Sequence, residues 1–281
     1  MKTAFVVLTY NRPDALLAVL RALAPQCTGE HVVVIADDGS RPGNVDAMRR
    51  GLPRFACPVR HVWHPDVGFT AARARNLGAA AAGADYLVFL DGDCVPNPRF
   101  LRQHALLAQP GCFVNGSRVL LSPALTQAAL DGRMDLSQLD AAGWLRLRMA
   151  GDVNKLTHLL HWPGAPWRIE TRFRWKGIRS CNFALAWRDF EAVNGFDETF
   201  SGWGHEDADL VLRLHHHGSR RKNGFLATEV YHLWHPENSR AGEDANRQRV
   251  LARMQTGIVR AEAGLVEALR AAKPEVTELN R

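Results

Sequence analysis

Two acids one residue apart close an apolar run. Tyr86-Leu87-Val88-Phe89-Leu90 runs straight into Asp91-Gly92-Asp93. Carboxylates spaced this way, with a glycine that permits an unusual backbone bend, can meet one hard cation directly or through water. Such a cation bridges to a diphosphate and neutralises charge on a leaving group. Taken alone, the tripeptide is as readily a surface turn, because Asp and Gly dominate turns. Asp37-Asp38-Gly39-Ser40 follows another apolar run and carries the same ambiguity. It is either a turn that starts a helix or a strand-end carboxylate that accepts the N–H of a pyrimidine base.

Three further segments carry chemistry. Gly68-Phe69-Thr70-Ala71-Ala72-Arg73-Ala74-Arg75-Asn76-Leu77-Gly78 opens a helix. Its arginines can grip phosphate oxygens, and its small residues permit close packing; an ordinary Ala-rich helix with solvated arginines would read the same. Asn194 to Leu210 gathers acids around Trp203 between glycines, at a helix entrance. Capping explains one or two of those acids. An acid there can also deprotonate an acceptor hydroxyl, and Trp203 can stack on a sugar ring. Tyr231-His232-Leu233-Trp234-His235-Pro236 places two histidines three apart after a strand, where they can complete a metal site begun by Asp93. His215-His216-His217 reads as a solvated helix end that suits the helix dipole.

The surrounding pattern says how these residues are positioned. Short apolar runs at 4–8, 31–35 and 86–90, with a weaker one at 59–63, alternate with helical stretches at 13–24 and 69–82. Pro13 opens the first helix and Pro25 stops it. Such alternation predicts a parallel sheet with crossover helices. Ligands then bind beyond the carboxyl ends of the strands. Thr9-Tyr10-Asn11, Asp37-Asp38 and Asp91-Gly92-Asp93 all fall at those ends. Later, the sequence predicts a strand at 183–185, a helix at 188–193, a helix at 207–217 capped by Gly218, a strand at 228–234 and one long terminal helix over 244–272. The last residues after Pro274 read as lacking fixed structure.

Length and composition set limits. With 281 residues, the chain buries a substantial core. The formal net charge of +6 suits solubility or attraction to phosphates, acidic glycans or an anionic membrane face. Five scattered cysteines without a CxxC pair argue against a disulfide framework and a structural zinc site. Without GxGxxG after the first strand, a dinucleotide-binding dehydrogenase is disfavoured. The N-terminal apolar run is too short for a signal peptide, and no run approaches the ~20 apolar residues of a spanning helix. The expected location is the cytoplasm, with any membrane contact peripheral, at the inner face.

In this order, the motifs Thr9-Tyr10-Asn11-Arg12, Asp37-Asp38-Gly39-Ser40, Ala74-Arg75-Asn76-Leu77-Gly78 and Leu90-Asp91-Gly92-Asp93 resemble family 2 glycosyltransferases of the GT-A fold. Gly195-Phe196-Asp197-Glu198 through Trp203-Gly204-His205-Glu206-Asp207 resembles the C-terminal half of chondroitin-polymerase-type and β-1,4-galactosyltransferase-type enzymes. The likeness spans residues 3–238. It implies an α/β fold: one Rossmann-like nucleotide-sugar-binding domain with a mainly parallel sheet flanked by helices, a C-terminal acceptor-side lobe and a terminal helix. It further implies that Thr9, Tyr10, Asn11 and Arg12 line the donor site, that Asp38 contacts uracil, that Arg75 contacts the diphosphate, and that Asp91 faces the ribose or donor sugar. Asn182 falls in a donor-pocket segment. Asp93 with His235 and His232 would bind Mn2+ or Mg2+. Asp207 would be the base and Glu206 would bind the acceptor. One departure stands out: relatives commonly carry Gly-Gly before Glu-Asp, whereas His205 follows Gly204 here.

The resulting expectation is an inverting transferase that moves a sugar from a nucleotide-diphosphate donor, a UDP-sugar, to a glycan or lipid-linked acceptor in bacterial surface polysaccharide synthesis. No nucleic-acid partner is implied. The alternatives are a metal-dependent nucleotidyltransferase or phosphoesterase, which their products would reveal, and a non-catalytic binding module. The chain divides into a nucleotide-sugar half (1–118), a variable excursion (119–178) that reads as a lid or acceptor loop, a catalytic half (179–240) and a terminal helix (241–281).

Overall fold

A computed structural model describes residues 1–175, 177–200, 202, 204–236, 242–271 and 273–280. In the first half, strands β1 (Thr3–Thr9), β2 (His31–Asp37), β3 (Val59–Trp63) and β4 (Tyr86–Asp91) alternate with helices α1 (Pro13–Leu23), α2 (Pro42–Gly51) and α3 (Ala71–Ala80). Then come β5 (Cys94–Pro96), α4 (Phe100–Leu107), β6 (Cys112–Asn115), β7 (Arg118–Leu120), α5 (Pro123–Leu130), α6 (Ala141–Met149) and β8 (Ile169–Glu170). The chain closes with β9 (Asn182–Ala186), α7 (Trp187–Ala192), α8 (Glu206–His216), β10 (Arg220–Asn223), β11 (Val230–His232), α9 (Glu243–Arg253), α10 (Leu265–Ala271) and β12 (Glu275–Glu278).

Among the described residues, nine strands form one sheet in the order β12-β3-β2-β1-β4-β9-β6-β10-β8. β3, β2, β1 and β4 are parallel, as the strand–helix alternation predicts, while β9 runs against both β4 and β6. The apolar runs are continuous because both faces are covered. Phe5, Val7, Val33, Ile35 and Leu90 pack with Leu16 and Leu20 of α1 on one side. Val6, Val34 and Phe89 pack with Leu77 of α3 and Leu210 of α8 on the other. A Cβ on Gly78 would come within 2.9 Å of Ala36 Cβ, so this glycine sets how closely α3 approaches the sheet. A second sheet, β5-β11-β7, lies beyond the end of β4.

Two expectations for the C-terminus are corrected. The single helix over 244–272 is two helices, α9 and α10, with Gly257 at φ +68 between them. α9 ends at Arg253 with Met254 as its cap, and Gly257 lies in the turn that follows. At that end Arg253 turns inward to Asp197 and Asp209. Residues 275–280 are ordered: β12 pairs antiparallel with β3, and Asn280 bonds Val59 N and Cys57 O. Edge pairing of this kind depends on a partner more than 200 residues away, which no local pattern encodes.

Candidate active site

The strand register builds the centre of the site. Thr9 sits opposite Asp37 and Leu8 opposite Asp91, so all these strand ends share one edge of the sheet. Gly92 N then donates to Leu8 O at 2.7 Å, which folds the chain back tightly after β4. A Cβ on Gly92 would lie 2.7 Å from the same oxygen, so the turn requires glycine. β5 follows at once and pairs with β11, setting Cys94 opposite His232, while Leu233 N donates to Asp93 O. Residues 140 positions apart thereby meet.

His235 Nε2 lies 3.3 Å from Asp93 Oδ2, and His232 Nε2 lies 3.9 Å from Asp93 Oδ1. The His235 Nδ1 is 2.8 Å from the Pro236 carbonyl. A carbonyl only accepts, so Nδ1 carries a proton and Nε2 is the nitrogen turned to the carboxylate. A nitrogen and a carboxylate oxygen facing each other in this way can share a proton or ligate one metal ion. Burial, followed by the neighbouring Arg118, lowers the His232 pKa to about 4, which keeps that ring neutral. Burial and then the Asp91 charge push the Asp93 carboxyl up to about 6. One carboxylate and two imidazoles suit a divalent cation. Cys94 Sγ lies within 4.8 Å of the Asp93 and His232 ligand atoms. Burial raises its thiol well above the usual range.

Arg75 organises the opposite wall. It is buried, donates to Asp91 Oδ1 at 2.9 Å and pairs with Glu206 Oε1 at 3.4 Å, with Phe196 against its guanidinium. It therefore pairs directly with Asp91 and Glu206, and its charge also acts on Asp207. The Asp207 Oδ2 accepts Ser180 N at 3.3 Å, and Oδ1 accepts Ala208 N at 2.7 Å. Burial, then the Glu206 charge, pushes the Asp207 carboxyl up to about 7. Such a group accepts protons near neutral pH. His205, just before α8, sits at φ 71 with its ring 5.6 Å from Trp175. That backbone region favours glycine, which accounts physically for Gly-Gly in relatives.

The remaining predicted residues separate into those at the crevice and those behind it. Asp38 is buried beneath β2's end, where Thr70 N and Oγ1 donate to it and His64 Nε2 stands 3.2 Å away. Thr9 and Arg12 border a small cleft with Ser40. Tyr10 is exposed and donates to Asp66. Asn11 gives its side-chain oxygen to Arg41 N and Asn44, which fixes the turn. Asn182 is 1% exposed and spends its amide on the Ser117 and Thr228 carbonyls and on His104. It ties β9 to two loops. Trp203 lies outside the described residues. Ser180, Phe196, Thr70 and His64 also serve the site. Thr70 and Phe196 stood inside noticed motifs, whereas Ser180 and His64 reach the site only through long-range contacts.

A parallel nucleotide-binding sheet with acids at its strand ends, joined to a carboxylate–histidine cluster, defines the class of a GT-A-type transferase. The sequence model described as "Glycosyl transferase family 2" matches residues 4–193, and the chain belongs to that family. A second, "N-terminal domain of galactosyltransferase", matches residues 167–236. The chain is 32% identical over 229 residues to a validoxylamine A glucosyltransferase of Streptomyces hygroscopicus subsp. jinggangensis, covering 76% of this chain and 51% of the relative. It is 28% identical over 239 residues to a chondroitin synthase of Escherichia coli, covering 76% and 32%. It thus spans about half or less of these curated relatives. Among solved structures, S. aureus TarS with UDP-GlcNAc superposes with a TM-score of 0.61 at 12% identity, over 95% of this chain and 69% of that one. The mannosyltransferase PcManGT from Pyrobaculum calidifontis, in complex with GDP-Man and Mn2+, gives 0.56 at 16% identity, over 98% and 66%. These two likenesses establish the GT-A fold.

Proposed function

We propose that the chain is an inverting glycosyltransferase moving a sugar from a nucleotide-diphosphate donor, a UDP-sugar, to a hydroxyl of a glycan or lipid-linked acceptor in bacterial surface polysaccharide synthesis. What supports this reading is Arg75, which pairs with Asp91 and with Glu206 and so ties the start of α8, where Asp207 has its pKa raised to about 7, to the strand end next to Asp93. In this reading, Asp38 receives the base, and Thr9, Tyr10 and Arg12 border the nucleotide. Asp93, His235 and His232 hold Mn2+ or Mg2+. When bound, the cation stabilises negative charge on the departing diphosphate.

Asp207 takes the proton from the acceptor hydroxyl as that oxygen attacks the sugar carbon from the face opposite the leaving group. Glu206, fixed by Arg75, orients the acceptor. Arg75 holds Asp91 toward the donor sugar, and its charge is available to the diphosphate when the donor enters. Asn182 acts through the loops it ties together. Family membership and neighbours with UDP-GlcNAc and GDP-Man support the donor class. Among the described residues, no helix is long and apolar enough to cross a membrane. We place the enzyme in the cytoplasm, with peripheral contact at the membrane's inner face. A sugar-nucleotide panel, read by thermal stabilisation and by hydrolysis with and without Mn2+, names the donor. Release of nucleotide diphosphate with sugar transferred supports this reading; nucleotide transfer or phosphate release supports a nucleotidyltransferase or phosphoesterase.

A further inference from the structure

α8 sets out from an unusual backbone. Gly204 stands at φ +101, and His205, which follows it, at φ 71. A residue with a side chain is strained in the left-handed region and stays there only where its surroundings over-determine it. The His205 side chain makes no hydrogen bond that caps α8. Glu206 and Asp207 come next, so whatever holds His205 in this conformation also sets where both acids stand.

The hold comes from α9. Asn246 is buried, and its Nδ2 donates to the Gly204 carbonyl at 3.0 Å. One turn further along, Arg249 Nη1 donates to the Thr199 carbonyl at 2.6 Å, with its guanidinium 5.4 Å from the Phe200 ring centre. Val250 packs in one cluster with Phe200 and with Ala208 and Leu212 of α8. Residues three and four apart share a helix face, so one side of α9 makes all these contacts. The bond to Gly204 is the one that bears on His205. The peptide joining the two residues is planar, so fixing its oxygen fixes the plane on the near side of the His205 φ rotation. The plane on the far side is fixed by α8 itself, where His205 O accepts Asp209 N at 3.0 Å.

We propose that Asn246 is a positioning residue for the transfer reaction: it pins the Gly204–His205 peptide to α9, and through it the first turn of α8 that carries Glu206 and Asp207. This rests on the transferase reading above for the roles of the two acids and deepens it; the clamp itself is a property of the backbone. Without the bond, His205 relaxes toward an ordinary φ, the start of α8 frays, and both acids leave their places. Strands β1 to β4 and α3, which carry the donor side, lie outside the clamp. Glycine adopts a positive φ without strain. The clamp is therefore needed because a side chain stands at 205, and the need for Asn246 disappears when His205 is replaced by glycine.

Hydrogen exchange and turnover, both on the full chain, test this. The variants are Asn246→Ala, the near-isosteric Asn246→Asp, which puts an oxygen where the donating amide stood, and each of these combined with His205→Gly. Amides of residues 209–212 should exchange ten-fold or more faster in both Asn246 variants, and return to within three-fold of wild type in the double variants. Amides of β1 to β4 and the Kd for UDP with Mn2+ should keep their wild-type values throughout. With the sugar nucleotide that stabilises the protein best, kcat should fall ten-fold or more in the Asn246 variants at unchanged donor KM. At least half of it should return in the double variants. Wild-type exchange at 209–212 in both Asn246 variants overturns the proposal. So does a loss, including failure to fold, that His205→Gly does not repair, or a weakened Kd for UDP with Mn2+. If wild-type protein turns over no sugar nucleotide, the transferase reading fails separately, and the exchange measurements still decide whether α9 clamps α8.

Discussion

Asp207 is where residue chemistry is most exposed to test. As the proton acceptor it must be ionised, so kcat/KM should rise as pH increases through about 7 and fall away below it. Asp207→Asn should lower kcat by about 10²- to 10⁴-fold, the usual worth of a general base, while thermal stabilisation by UDP and Mn2+ persists. Stability gives the opposite sign. A carboxyl raised by burial binds its proton more tightly folded than unfolded, so its contribution to stability falls as pH rises from the ordinary Asp range to about 7. Melting curves at pH 8 should therefore place Asp207→Asn above wild type. Asp93→Ala removes the carboxylate faced by both histidines. It should abolish the Mn2+-dependent part of donor stabilisation, read by the melting shift with Mn2+ against EDTA.

At the scale of elements, the decisive features are the tight return after β4 and the pairing of β5 with β11. Gly92→Ala presses a methyl group onto Leu8 O at 2.7 Å and must shift the Asp93 backbone. Its expected signature is weakened Mn2+ affinity measured by titration, with a melting temperature reduced by a few degrees. Much at this scale was legible. The short apolar runs announced β1 to β4, and Pro13 announced α1. Strands β6, β8 and β10 were not legible, since Arg220-Arg221-Lys222-Asn223 has no apolar alternation and becomes a strand only by pairing with Cys112–Asn115.

Across the whole molecule, one buried ion network couples the C-terminus to the catalytic helix. Arg253 of α9 reaches Asp197 at 2.9 Å and Asp209 of α8 at 2.7 Å, and Asp209 also holds the fully buried Arg213. α8 carries Glu206 and Asp207 at its start, so this network sets where Asp207, the proposed proton acceptor, stands. Removing one partner of such a buried group costs about 3–5 kcal/mol, because the remaining charge stays desolvated. Arg253→Met should show that loss in urea unfolding, accompanied by a lower kcat because α8 is no longer held from behind.

By itself, the sequence determined the parallel half-sheet, the acids at its strand ends and the residue types of the candidate site, since these follow from local periodicity and from turns that only Gly, Asp and Asn tolerate. Asp91-Gly92-Asp93, Glu206-Asp207 and the His232/His235 pair were all readable as separate motifs. Only the tertiary structure decided which of them meet. It gave Arg75 to Asp91 and Glu206, turned Asn182 inward, paired the last strand with β3 and set Ser180 N–H against Asp207. Each of these depends on burial and on strand pairing between distant segments. Ordinary side chains thereby acquire their partners and their shifted charge states, and neither is written in local order.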